Sequence, residues 1–66
     1  MWNVELRVSP SNERGVRIEA ADQKELEKLL AQEQERYQVA IVQDGSLVVA
    51  LYRQHAPGCW RNALAN

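Results

Sequence analysis

His55 and Cys59 are the residues of this chain best suited to chemistry, and each is the sole member of its type. Four residues apart, they suggest a Cys–His pair in which imidazole activates a thiol. Such a pair needs a third group to orient the base and a substrate site beside it. Pro57-Gly58 lies between them, so their spacing says nothing about their geometry. A zinc site would need carboxylates or further thiolates nearby, and Gly45–Asn66 contains no acidic side chain. Glu33 and Glu35 sit two apart and, on a helix, point to different faces, which is wrong for shared acid–base work. The three glycines form no phosphate-cradling pattern. The sequence therefore assigns no catalytic residue, metal ligand or cofactor, and the expectation is a non-enzymatic protein.

What remains is chemistry of contact. Arg53, Arg61, Trp60 and Tyr52, with Arg7 and Arg17, would suit a sheet that stacks bases and holds phosphates. The formal net charge of −1, from eight basic and nine acidic residues, disfavours direct nucleic-acid binding, and no Lys/Arg-dense stripe is present. Charge is nonetheless uneven. Asp22–Arg36 holds five acids and three bases, whereas Gly45–Asn66 holds only Arg53, Arg61 and His55.

The elements that position these residues read as follows. Trp2–Val8 alternates, with Trp2, Val4, Leu6 and Val8 on one side and Asn3, Glu5 and Arg7 on the other, as in a half-buried strand. Ser9-Pro10-Ser11-Asn12 predicts an exposed loop. Gly15–Ala20 alternates again, with Arg17 and Glu19 outward, placed to pair with Glu5 and Arg7. Asp22-Gln23-Lys24-Glu25 has capping-box spacing, and a helix is predicted from there to about Arg36. Its apolar face is Leu26, Leu29, Leu30 and Tyr37. Glu33 falls near the middle of that face, either snorkelling outward where the helix overhangs the sheet or marking a partner contact.

Tyr37–Arg53, YQVAIVQDGSLVVALYR, is the densest apolar stretch. Asp44-Gly45 predicts a type I′ turn, which opposes Gln43 to Ser46, Val42 to Leu47, Ile41 to Val48 and Val39 to Ala50. Tyr37, Val39, Ile41, Val48, Ala50 and Tyr52 would then share one face, and Ala40, Val42, Leu47, Val49 and Leu51 the other. Both faces are apolar, unlike a hairpin washed by solvent on one side. One helix covers one face, leaving the other to the C-terminal tail, a second copy of the chain or a foreign partner. Residues 54–66 read as a tail with a short helical turn, in which Trp60 and Leu64 would plug the open face. The expected fold is one small α+β domain over residues 1–66: ββαββ, a four-stranded antiparallel sheet with one helix packed on one face. A lone cysteine excludes an internal disulfide. MWNVELRV lacks the build of a signal peptide, and no apolar run approaches membrane-spanning length, so a cytoplasmic protein without membrane contact is expected.

The run GVRIEAADQKELEKLLAQEQ, Gly15–Gln34, followed by a hairpin and a tryptophan near the end, resembles some small phage-encoded anti-CRISPR proteins that inhibit type I CRISPR surveillance complexes. The resemblance covers about two-thirds of the chain. It implies an inhibitor acting inside a bacterial host cell, partnered with a larger bacterial assembly and either monomeric or homodimeric. Such proteins act by masking the DNA path or by mimicking DNA. Tyr52, Arg53, Trp60, Arg61 and Glu33 are the candidate partner contacts, since aromatics and arginine dominate binding hot spots. Asp22, Glu25, Glu27 and Glu35, together with Glu33, are the acidic, DNA-mimicking alternative. A small RNA- or single-stranded-DNA-binding module and a structural homodimer are the other readings.

Overall fold

The computed structural model describes residues 1–9, 11 and 15–64. The expected loop at Pro10 and Asn12 and the last two residues of the tail lie outside that range. Among the described residues, five strands and one helix follow in order: β1 (Trp2–Arg7), β2 (Val16–Ala20), α1 (Gln23–Gln32), β3 (Val39–Asp44), β4 (Leu47–Ala56) and β5 (Cys59–Asn62). The strands form one antiparallel sheet in the order β2-β1-β3-β4-β5. Strands β2 and β3 both run antiparallel to β1, so they are parallel to each other and α1 is the crossover of a split βαβ unit. The α+β class and the helix match the expectation; the fifth strand does not.

The helix starts where its cap places it. The Asp22 carboxylate accepts from the Glu25 N–H at 3.0 Å, and the Glu25 carboxylate accepts from the Ala21 N–H at 2.6 Å. Together they satisfy two backbone donors at a helix start. Leu26, Leu29 and Leu30 are buried, as their spacing predicts. The helix ends at Gln32, short of Arg36, with Glu33 as C-cap. The Glu33 carbonyl accepts from the N–H groups of Arg36 and Tyr37. The turn brings the Gln38 N–H to the Arg7 carbonyl at 3.0 Å, so pairing with β1 ends the helix sooner than propensity would.

Helix and sheet enclose Val4, Leu6, Ala20, Leu26, Leu29, Leu30, Ala40, Val42 and Ala50, with Trp2, Ile18, Tyr37, Tyr52 and Trp60 packed around them. This core requires a different hairpin register from the one Asp44-Gly45 suggests. Asp44 pairs with Leu47, so Gly45-Ser46 is the two-residue loop. Gly45 has φ +65°, and no other described residue except Gly58 has positive φ. That is the type II′ pattern, which needs positive φ only at its first central position; a type I′ turn on Asp44-Gly45 would force positive φ on Asp44 as well. Beyond Gln43↔Val48 the pairing skips a residue and resumes at Val42↔Ala50, Ile41↔Leu51, Ala40↔Tyr52 and Val39↔Arg53. Val49 is the bulged residue. An odd shift reverses which faces share residues. Ala40 and Val42 therefore join Ala50 and Tyr52 beneath the helix, and Val39 and Ile41 join Leu51 on the opposite face.

The tail departs from the expected helical turn. Pro57-Gly58 connects Ala56 to its partner Cys59, with Gly58 at φ +80°, as suits proline then glycine at the centre of a type II turn. Four residues are too few for a stable helix, and here they pair with β4 instead. Gln54 ties this end together. Its side-chain amide donates to the carbonyls of Gln34 at 2.7 Å and Tyr37 at 2.6 Å, and its side-chain oxygen accepts from the Gly58 N–H at 2.7 Å.

Gln54→Ala should therefore cost about 0.5–1.5 kcal/mol in urea unfolding, chiefly from the part-buried Tyr37 carbonyl left without its donor. Leu6→Ala, which empties part of the core, should cost about 2–5 kcal/mol. A neutral Gln54→Ala would contradict the tie.

Candidate functional site

The sequence-derived contact residues separate onto the two sides of the sheet. Directly opposed residues share a side. Tyr52 opposes Ala40 and Asn62, and Trp60 opposes Gln54, all on the helix side. The Trp60 indole N–H donates to the Leu30 carbonyl at 2.9 Å, one of the last-turn carbonyls that a helix leaves without an internal partner. Tyr52 and Trp60 line a groove of about 300 Å³ with Leu30, Ala31, Gln34 and Glu27. Arg53 opposes Val39, and Arg61 opposes Arg53, on the other side. Glu33, half-buried, closes the helix. Trp60 thus does not plug the open face, and Leu64 stays 51% exposed.

The acidic alternative is similarly dispersed. Asp22 and Glu25 are engaged at the helix start. Glu27 borders the helix groove, and Glu35 lies by a polar cleft with Gln34, Gln38, Gln54 and His55. Lys24 and Lys28 stand among the helix acids, sharing a surface with Asp22, Glu25 and Glu27. His55 and Cys59 are both exposed, and no group of three or more metal-competent side chains occurs among the described residues. Among the described residues, no helix is long and apolar enough to cross a membrane.

The open face of the sheet carries the organised surface. Reading across β1, β3, β4 and β5, one row is Arg7, Val39, Arg53 and Arg61. The next is Glu5, Ile41 and Leu51, with Arg17 beyond Glu5 on β2. Val39 is only 4% exposed although no helix covers it; it lies directly between two arginines, whose aliphatic stems shield it. Ile41 and Leu51 are half-buried. Arg7, Val39, Ile41, Leu51 and Arg53 line a shallow cavity of about 210 Å³, and Val48, opposite Gln43 and 41% exposed, extends the apolar row toward the hairpin turn.

Charge on this face is unequally matched. The half-buried Glu5 carboxylate accepts from Arg7 Nε and lies 3.7 Å from Arg17. This is the cross-strand pairing the alternation of β1 and β2 predicts, although Glu19 forms no ion pair among the described residues. Arg53 and Arg61 face each other across β4 and β5, and among the described residues neither forms an ion pair with a carboxylate. Val39, Ile41 and Leu51 were legible as apolar, but no local signal showed that they share a face with the two arginines; that follows from the bulge.

No protein-family model, curated protein or solved structure matches this chain.

Trp60 is structural on this geometry. Trp60→Phe, which keeps a ring against the helix and removes the bond to Leu30, should lower the unfolding free energy by about 1 kcal/mol in a denaturant titration. An unchanged midpoint would remove that role.

Proposed function

We propose that this chain is a small non-enzymatic binding protein that docks onto a larger bacterial protein assembly through the open face of its sheet. The observation that carries this reading is the row Ile41, Leu51 and Val48, continued by the buried Val39, which among the described residues neither helix nor tail covers and which Arg7, Arg53 and Arg61 border. An apolar centre with arginine at its border is the usual composition of a protein interface. Five strands spaced about 4.8 Å apart span roughly 19 Å, a width on which a partner surface can seat.

The geometry favours a protein over a nucleic acid. Base stacking on a sheet relies chiefly on exposed aromatic side chains, with arginine planes as a secondary platform. The chain has two tryptophans and two tyrosines and no phenylalanine, and all four rings pack around the helix-side core. The open face offers aliphatic side chains instead. The resemblance of Gly15–Gln34 and the following hairpin to anti-CRISPR proteins makes a type I surveillance complex the first target to try, with inhibition by masking rather than by acidic mimicry, because the acids are dispersed and interleaved with lysines.

The test is co-elution with purified type I surveillance complexes of several subtypes, followed by target-DNA binding in the same samples. Wild type should co-elute and suppress DNA binding, and Ile41→Asp should lose both while remaining folded by circular dichroism. Binding unaffected by Ile41→Asp would remove the sheet face as the site, and failure with every complex would remove this target class. Turnover of any substrate that depends on His55 or Cys59 would overturn the non-enzymatic reading.

A further inference from the structure

The opposed arginines on β4 and β5 say what kind of partner the open face takes. Like charges directly across a strand pair destabilise a sheet, and Arg53 and Arg61 are so placed, both exposed, without an ion-paired carboxylate among the described residues. Arg7 and Arg17, on the other flank, share Glu5. The two flanks of the apolar row therefore differ: on one, Glu5 offsets one of two arginine charges, and on the other two arginines stand directly opposed across a strand pair with no ion-paired carboxylate among the described residues. Val39 and the cavity of about 210 Å³ lie between those flanks. That volume is below the range of about 300–1,000 Å³ typical of small-molecule sites and fits a single side chain.

Resting on the reading of this face as a protein-docking surface, we propose that its partner is a protein segment carrying one aliphatic or aromatic residue flanked by aspartate or glutamate. The apolar side chain enters the cavity between Arg7 and Arg53, over Val39, Ile41 and Leu51. The flanking carboxylates meet Arg53 and Arg61, whose planar forks suit carboxylates in two-point contact. Binding supplies the counter-charge that the fold omits, so the arginine pair costs stability in the free protein and contributes affinity in the complex. A polyanion such as nucleic acid fits less well, because the apolar row bears no stacking ring and the chain as a whole is at −1.

Random dodecapeptides displayed on phage, selected on the full chain and counter-selected on the Arg53→Ala/Arg61→Ala variant, test the proposal. The enriched sequences should share one large apolar residue with acids within a few positions. As free labelled peptides they should bind wild type in fluorescence anisotropy, weaken with salt, and lose about tenfold or more on the double variant. Arg61→Glu converts the like-charge pair into an opposite-charge pair. It should raise Tm by about 2–5 °C while weakening the same peptides, an opposition that a purely structural arginine would not show. No enriched sequence, or a lowered Tm in Arg61→Glu, overturns the proposal. Peptides without acids that bind the double variant equally well but are lost on Ile41→Asp overturn the acidic chemistry and leave the docking face standing. Peptides indifferent to Ile41→Asp as well remove both. Oligothymidylate binding tighter than the peptides, or self-association abolished by Ile41→Asp in sedimentation, assigns the face to nucleic acid or to a second copy and overturns the proposal.

Discussion

Between Val42 and Gln43 the pairing of the central hairpin skips one residue, and Val49 is left with no residue opposite it. A strand alternates sides at every residue, so a one-residue slip exchanges the faces of everything beyond it. The bulge sends Ala50 and Tyr52 under the helix beside Ala40 and Val42, and turns Leu51 and Arg53 outward beside Ile41 and Val39. Small residues then lie beneath the helix, where Leu26, Leu29 and Leu30 must fit against the sheet. Larger aliphatic residues are left on the far side. Without the slip, Ala50 and Tyr52 would join Val39 and Ile41 on the open face, which pairing with β1 fixes, and Leu51 and Arg53 would turn under the helix.

The bulged hairpin is held from both ends. At the turn, Gly45 takes the positive φ that the II′ geometry places at its first central residue. At the far end, β4 continues into β5 through Pro57-Gly58, and Gln54 bonds the end of the helix segment and that turn with one side chain. Trp60 adds a bond to the last turn of α1. These contacts commit the large aromatic side chains of β4 and β5 to the helix side. The arginines that alternate with them project from the other side, so one set of residues stabilises the fold and the other is left for contact.

Much of this was readable from local pattern. The alternation in Trp2–Val8 and Val16–Ala20, the Asp22–Glu25 cap and the leucines of α1 each have a single sensible reading, because one period fits and the opposite face is polar. The hairpin was different. Its strands are apolar on both sides, so face pattern could not choose among registers, and Asp44-Gly45 and Gly45-Ser46 both make acceptable turns. The choice is tertiary: small Ala40 and Ala50 must lie under the helix. The fifth strand was obscured because Cys59–Asn62 is short and its pairing depends on a turn read as a break. The candidate contacts were found as residue types, but Tyr52 and Trp60 could not be separated from Arg53 and Arg61 until the register was known.

The most direct test of this account is the set of cross-strand proton NOEs in the β3–β4 hairpin of the uniformly 15N,13C-labelled protein. The bulged register predicts contacts between Ile41 and Leu51 and between Ala40 and Tyr52, with none linking Val49 to a single opposite residue. Contacts placing Ile41 across from Val48 and Val39 across from Ala50 would contradict it, because Ala50 and Tyr52 would then join Val39 and Ile41 on the open face, and Leu51 and Arg53 would turn under the helix, away from the proposed docking surface.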